Sequence, residues 1–467
     1  MPNRNTTIHQ APLIPVLFFA ALLLIPPCGP LPSVQAQDSS DTVTLATAYD
    51  EALQAHELIR IVGKEIAKSR QLIRQANSIM LPHASVEGQY YRLDDTVTRS
   101  TSTHLSVPPL FEGDILVGPT ETAPKEQYGV SVSIKQAIYE GRYFPLHRAA
   151  SDKVQQSREN LLDTTQNVLF NVATVFYSAV SAKALLASAQ EIRDWAKKDV
   201  NVAQIKFDAG KITEDAVHRA RLNVTRAERQ LITTKQQLIF AKETLARFMG
   251  RDTPPEDVEQ PAIMAPHEED LDVLLQQAYD NRHDYKAATL GIRLAEEDVK
   301  LVRSKFFPTV GAEVKQYWLN EETYTRDSQF WTAGVRLSLP LWEGGSRTAE
   351  LAEKKETLAQ ARLTAVNLKK NIRLDVENAR LAMITMTKVL ENARQQVETA
   401  SKNYEIVESQ FSHGAATSLD LDQALTALDT AKTQLVNETF NEQIAILQLR
   451  KATGLFAKQY IEPPPRE

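Results

Sequence analysis

The sequence predicts a mainly α protein with a small β part, in which one helix, strand, strand, long helix, helix unit occurs twice. Three observations carry this expectation. Proline is absent between Pro145 and Pro254 and again between Pro340 and Pro463. Each tract contains one interior glycine, Gly210 between Gly141 and Gly250, and Gly414 between Gly345 and Gly454. Gly210 and Gly414 stand 204 residues apart, as do Gly250 and Gly454. Glycine and proline punctuate helices, so two very long helical tracts follow, each interrupted once. The shared offset marks a duplication.

Motifs around these glycines keep the register. KFDAGKIT (Lys206–Thr213) aligns with QFSHGAAT (Gln410–Thr417), and RFMG (Arg247–Gly250) aligns with KATG (Lys451–Gly454). Upstream, MLPHASVEGQYYRL (Met80–Leu93) aligns with FFPTVGAEVKQYWL (Phe306–Leu319) at an offset of 226, and QAIYEG (Gln136–Gly141) with LPLWEG (Leu339–Gly344) at 203. The first half therefore carries about 23 extra residues between its strands, rich in Thr and Pro and read as a loop. The expected layout is a leader over 1–36, a first repeat over 43–250, a linker over 251–268, a second repeat over 269–456 and a tail over 457–467.

Composition sets the class. The 467 residues hold 53 basic and 59 acidic side chains, a net charge of -6, with 43% hydrophobic and 24% charged residues, which suits a folded chain. Only 16 are glycine, too few for a turn-dense all-β fold. No basic footprint points to nucleic acid. Arg4 precedes the apolar stretch Leu13–Ile25, which Pro26 and Pro27 end, and Val34-Gln35-Ala36 offers a small-residue cleavage site. This is the pattern of a secretory signal, too short for a spanning helix. Cys28 is the only cysteine, and Pro27 before it argues against lipid attachment. No other segment reads as a spanning helix.

Each unit opens with an amphipathic helix, expected over Leu45–Ile79 and Leu271–Lys305, followed by two strands, near 82–93 and 127–138 in the first repeat and near 308–319 and 330–341 in the second. The closing strands alternate. Tyr128, Val130, Val132 and Ile134 oppose Gly129, Ser131, Ser133 and Lys135; Trp331, Ala333, Val335, Leu337 and Leu339 oppose Thr332, Gly334, Arg336 and Ser338. Alternation over about 10 residues fits a barrel strand with lipid on one side and water on the other, and equally a sandwich strand on a protein core.

The long helices carry a seam of alternating steps of four and three: Ile372, Val376, Ala379, Met383, Met386, Leu390, Ala393, Val397, Ala400, Tyr404, Val407 and Phe411. The first half has Val168 to Ala189 in the same pattern, slips at Arg193, and resumes from Ala196 to Phe207. About 66 residues of helix extend roughly 100 Å, and the opening and returning helices laid end to end match that length. Gly210 and Gly414 then become the tips of two helical hairpins.

Four strands cannot close a sheet, and open edges in lipid leave backbone groups unpaired at several kcal/mol each. Cyclic assembly of identical copies would close it, three copies giving twelve strands. Trp318, Trp331 and Trp342, with Tyr128, Tyr90, Tyr91 and Tyr139, lie in or beside the strands, as interfacial aromatics do. Packing between helix and sheet would also employ them.

The duplication, the junctions YEGR (Tyr139–Arg142) and LWEGGSR (Leu341–Arg347), and the tips FDAGKIT and FSHGAATSLDL together resemble the TolC-like outer-membrane efflux protein family over roughly Val43 to Phe456. That resemblance implies a homotrimer whose twelve-stranded outer-membrane β-barrel continues as a periplasmic α-helical coiled-coil tunnel. It implies an exit duct for small molecules, or for proteins in type I secretion, working with a periplasmic adaptor and an inner-membrane transporter. Adaptor docking falls on the tips around Gly210, Lys211 and Gly414. The remoter alternative is a structural trimeric coiled coil of the envelope, which needs no duplicated strand pairs.

No catalytic constellation, cofactor motif or metal-ligand spacing stands out. The chemistry expected of a duct is electrostatic, through rings of equivalent side chains. Counting from Gly414, the resemblance places Asp420 on the first acidic position of the family's constriction and Gln423 on the second, a departure from the doubly acidic pattern. Asp422 lies between them, turned roughly 200° from Asp420. A ring of Asp420 carboxylates would raise its own pKa by repulsion, whereas a first-turn aspartate simply favours the helix's positive end. An Arg–Asp link that seals better-studied members maps onto Ala416 and Ala216, so a closed state here needs other contacts, with Lys211, Asp215 and Asp420 as candidates.

Overall fold

The computed structural model describes residues 42–95, 97–123, 125–320, 327–456 and 458–461. The expected leader, with Cys28, and the end of the tail lie outside the described residues. In chain order the elements are β1 (Thr42–Val43), α1 (Leu45–Ala55), α2 (Glu57–Ser78), β2 (His83–Arg92), β3 (Val97–Val107), β4 (Phe111–Ala123), β5 (Glu126–Tyr139), α3 (Tyr143–Asp208) and α4 (Glu214–Met249). There follow β6 (Asp257–Val258), α5 (Leu271–Asn281), α6 (His283–Ser304), β7 (Thr309–Leu319), β8 (Gln329–Ser338), α7 (Ser346–His413), α8 (Ser418–Ala452) and α9 (Lys458–Ile461). The order α1, α2, β2, β5, α3, α4 is thus repeated as α5, α6, β7, β8, α7, α8.

The two long helices, of 66 and 68 residues, are each roughly 100 Å in extent. Toward the sheet α3 packs on α2, where the Tyr143 hydroxyl meets Asn77 at 3.4 Å, and toward its far end on α4. In the second repeat α6 and α8 divide α7 in the same way. The seam on α7 is the buried one: Ile372, Val376, Ala379, Met383, Leu390, Ala393, Tyr404 and Phe411 are all inaccessible. On α3 the slip resolves in favour of Ile192, which is buried where Arg193 is not.

Three expectations are corrected. Each opening helix is two helices, broken at His56 and at Arg282, whose ψ values of 121° and 123° are extended. The breaks seat the glycines that end the returning helices. Gly250 (φ +79°) would place a Cβ 2.7 Å from Ala55 Cβ, and Gly454 (φ +72°) would place one 2.8 Å from the Arg282 backbone nitrogen. Secondly, the Thr-rich insertion is an antiparallel hairpin, β3 on β4, forming its own two-stranded sheet. Its β-branched content suits a strand better than a loop. Thirdly, α3 contains a window apolar enough to pass for a membrane span, but 50% of that window is buried inside the protein. Around Val168–Val180 the helix is enclosed by α1, α4, β1, β6 and α8, so it is apolar on several faces rather than one.

The remaining sheet has the order β2, β5, β7, β8, all antiparallel. In the linker, β6 pairs in parallel with β1, and the Lys183 ammonium clamps it through Asp257 at 2.7 Å and the Val258 carbonyl at 3.0 Å.

Candidate functional site: an open sheet and two hairpin tips

The four-stranded sheet is inside out by the standard of a water-soluble protein. Ser131 and Ser133 are buried, Ser133 at 2% exposure, while Val86, Val130, Ile134, Val314, Val335 and Leu337 on the opposite face are exposed, Val335 at 70%. Register fixes this separation. Val86 sits opposite Val132, Val130 opposite Trp318, Ile134 opposite Val314, and Val314 opposite Ala333. The other face is polar and internally paired. Ser85 and Ser133 share a hydrogen bond of 2.9 Å, Lys315 meets Glu87 at 3.1 Å, and Lys135 meets Glu313 at 3.3 Å. A large apolar face with water on the other side is what lipid requires.

The aromatics cluster at the two ends of that apolar face. Tyr90, Tyr128, Trp318 and Trp331 lie at the end away from the helices, with Trp331 68% exposed, while Tyr139 and Trp342 lie at the helical end. Tyr128 and Tyr139 lie on one strand, about 36 Å apart along it. A strand tilted by about 45° makes that about 25 Å of depth, the height of an outer-membrane apolar band. At the distal rim a Cβ on Gly129 would lie 2.7 Å from Leu319 Cδ2 and 3.0 Å from the Trp318 carbonyl oxygen, so β5 and β7 approach closely there. β2 and β8 remain as edges.

Where the sheet meets the helices, Arg347 is the fastener. Its guanidinium is buried, donates to the Lys305 carbonyl at 2.9 Å and to the Pro340 carbonyl at 2.7 Å, pairs with Glu343 at 2.9 Å and lies over the Phe306 ring. One side chain thereby ties α6, the end of β8 and the start of α7. The sequence motif contained this arginine without revealing its role.

At the opposite end the hairpins turn at the expected glycines. Gly210 (φ +69°) and Gly414 (φ +82°) are left-handed, and Lys211 and Ala415 close six-residue hydrogen-bonded turns by donating to the carbonyls of Lys206 and Gln410 at 2.9 and 2.8 Å. Lys211 is exposed at the tip. Asp420 and Gln423, three residues apart on α8, share an exposed face. Asp422 is turned away, into a cavity of about 210 Å³ shared with Asn223, Arg226 and Asp429. Asp420 is a helix cap: its Oδ2 accepts from the Thr417 backbone N–H at 2.9 Å and from the Thr417 hydroxyl at 2.6 Å. Those donors hold its carboxyl below the usual range, the reverse of what repulsion within a ring would do.

Ala216 is buried and Ala416 partly so, and different contacts join the hairpins. Asp215 is engaged by Arg219 on its own helix at 2.8 Å. The Lys206 ammonium, rather than Lys211, crosses from α3 to the Phe411 carbonyl and sits 4.2 Å from the centre of that ring. Higher up, the Tyr404 hydroxyl meets both carboxylate oxygens of buried Asp199 at 3.3 and 3.4 Å, and Lys198 pairs with Glu408 at 2.6 Å. Sequence reasoning placed Tyr404 and Phe411 in the heptad seam but missed Lys198, Asp199, Lys206 and Glu408 as contacts across the hairpins. Lys206–Phe411 and Asp199–Tyr404 join the repeats at an offset of 205, one residue from the duplication's own, a signal available in principle, whereas Lys198–Glu408 spans 210.

At the waist, a polar cleft of about 430 Å³ between α3, α6, α7 and α8 holds Asp163, Arg282, Asp284, Asp375 and Lys451. Arg282 bridges two of its carboxylates, Asp284 at 2.7 Å and Asp375 at 3.1 Å. Among the described residues no three His, Cys, Asp or Glu side chains converge to hold a metal ion.

Known proteins fit this geometry. The sequence profile of the outer membrane efflux protein family matches residues 48–251 and 274–455. The chain is 24% identical to the outer membrane efflux protein BepC of Brucella suis, over 70% of this chain and 72% of that one. It is 22% identical to the outer membrane protein TolC of Vibrio cholerae, over 80% and 88%. Its fold superposes on the crystal structure of the outer membrane protein VceC from Vibrio cholerae with a TM-score of 0.70 at 16% identity, covering 88% of this chain and 96% of that one. A profile spanning both repeats, the lipid-facing sheet and the paired hairpins agree: the chain belongs to the outer membrane efflux protein family.

Proposed function

We propose that three copies of this chain join β8 of one to β2 of the next, closing a twelve-stranded barrel in the outer membrane above a periplasmic helical tunnel. The observation that carries this reading is the sheet itself, apolar on its exposed face, polar on the other, and open at both edges. Unpaired edges in lipid cost several kcal/mol per backbone group, and cyclic pairing removes them all. Tyr128, Trp318, Trp331 and Trp342 then lie at the two membrane interfaces.

The duct is a passive exit for compounds delivered by an inner-membrane pump through a periplasmic adaptor, whose own helices meet the tips around Gly210, Lys211 and Gly414. Of the two cargoes we favour small molecules over secreted proteins, in keeping with the family's description as an efflux protein. Asp420 and Gln423 share a face that can point into the narrow end, so three copies would present a ring of one acid and one amide each. The test is native mass spectrometry of detergent-extracted protein together with planar-bilayer recording. Trimers with discrete conductance steps are expected; single copies that conduct nothing would overturn the reading. Deleting the gene and measuring drug tolerance and secreted protein in parallel separates efflux from secretion.

A further inference from the structure

Between the two hairpins of one copy, just above their tips, lies a cluster of ionisable groups that the duct does not require. Asp199 is nine residues before the end of α3, and Tyr404 nine before the end of α7. Both are buried, at 7% and 4% exposure. The Tyr404 ring stacks on Trp195, 5.5 Å between centres, and its hydroxyl donates to Asp199. Glu408 stands one turn further along α7, paired with Lys198. Tyr404 packs in one apolar cluster with Ala196, Ala227, Leu421, Leu425 and Leu428, and Asp199 is buried beside it.

We propose that Asp199, Tyr404, Glu408 and Lys198 form a proton-operated clasp that holds the two hairpins of a copy together when Asp199 is protonated and releases them when it is ionised. The clasp rests on the reading of the tips as the mobile end of a duct. Burial, followed by the charge of Glu408, pushes the Asp199 carboxyl up to about 6, against ordinary aspartate at 3.8. Separating the hairpins hydrates Asp199 and returns it toward that ordinary value. The sign follows directly: packing is penalised while Asp199 is ionised, and the penalty shrinks as pH falls through 6. Neutral pH loosens the tips and acid draws them together.

Other charged groups stand around the contact, two of them in ion pairs of their own. On α4 Glu228 is held by Lys197, and on α8 Lys432 is held by Glu191 while lying over Trp195. Arg226, Arg229, Asp422 and Asp429 line the adjoining cavity. Lys206 crosses to Phe411 nearer the tip, where Lys211, His218 and His413 also stand.

The test uses full-length protein in lipid nanodiscs, with Cys28 replaced and spin labels on Lys211→Cys and Ala415→Cys of one copy among excess unlabelled copies. Dipolar spectroscopy then reads the distance between that copy's two tips. Between pH 7.5 and 5.0 the ratio of short to long distances should rise roughly tenfold, as a single group moving from 3.8 to about 6 requires. Asp199→Asn, near-isosteric and uncharged, should abolish the response and hold the short distance. Glu408→Gln should move the midpoint to lower pH and Tyr404→Phe to higher pH, which keeps the test decisive if Asp199→Asn fails to fold. A native chain without a response overturns the clasp. So does a response that persists in Asp199→Asn. Because the labels report on one copy, a monomeric sample that still responds would sink the trimeric duct while upholding the clasp.

Discussion

Thr417 and Asp420 cap each other at the start of α8: the Thr417 hydroxyl accepts from the Asp420 backbone N–H at 3.2 Å while the Asp420 carboxylate accepts from the Thr417 backbone N–H at 2.9 Å. This reciprocal box satisfies two of the orphan donors of a helix N-terminus. The residue proposed to line the narrow end therefore also shapes it, and the two roles separate by mutation. Thr417→Ala removes the cap and keeps the charge; it should cost about 1 kcal/mol in helix stability and leave the cation dependence of conductance intact. Asp420→Asn keeps an acceptor and removes the charge, so it should abolish cation dependence with little change in melting. The capping carboxylate has a lowered pKa in the folded chain. Its stabilisation is therefore present above the ordinary aspartate range and lost as pH falls through its own value, so the small melting difference from Asp420→Asn at neutral pH should vanish in strong acid.

Arg347 offers a sharper stability test. Arg347→Ala leaves the Lys305 and Pro340 carbonyls without their charged donor and removes the packing on Phe306. Charged hydrogen bonds of this kind contribute roughly 1.5–3 kcal/mol each, so the loss should be about 3 kcal/mol. Arg347→Lys should recover only part of it, because an ammonium cannot reach two carbonyls and Glu343 with the planar fork of a guanidinium. Denaturant midpoints of the three proteins in detergent would show this order.

The helical half of the fold was legible because its signals are local. Heptad steps from Ile372 to Phe411 and glycines at Gly210 and Gly414 act within a few residues of themselves, and a duplication doubles every such signal. What escaped was set by tertiary approach. Nothing in the sequence near His56 or Arg282 breaks a helix; the breaks accommodate Gly250 and Gly454, which lie about 200 and 170 residues away in the chain. Thr and Pro give the β3–β4 hairpin the composition of a loop, although Thr is a good strand residue. At the tips, the family resemblance aligned on Gly414 singles out Asp420 and Gln423, whereas Lys206 and Asp199 escape it because their partners lie on the other repeat.

The paired glycines make this explanation testable. Gly414→Ala and Gly454→Ala both place a side chain at positive φ, 82° and 72°. The first adds a methyl to open space, and the left-handed penalty of roughly 1–2 kcal/mol is all it should incur. The second also drives a Cβ against the Arg282 nitrogen and the Asn281 carbonyl carbon, 2.8 and 2.9 Å away, where only backbone can move. It should lower the melting temperature by clearly more than the first, and Gly250→Ala, facing Ala55, should behave like Gly454→Ala. Equal effects at Gly414 and Gly454 would show that the helix break is not set by the glycine packed on it.

The orientation of the sheet predicts opposite outcomes for neighbouring substitutions on one strand. Val335 faces outward from β8 at 70% exposure, on the side shared with Leu337 and Trp331, whereas Thr332 is on the face of Ser338 and Arg336. A lysine facing lipid near the bilayer midplane costs roughly 2–4 kcal/mol, and a lysine facing water costs little. Val335→Lys should therefore reduce the amount of folded, protease-resistant barrel recovered from outer membranes, while Thr332→Lys should leave recovery near that of the native chain and alter only conductance. The three-residue spacing reverses the side-chain direction along a strand, so reversed outcomes for the pair would place the apolar face inward and refute a lipid-facing sheet.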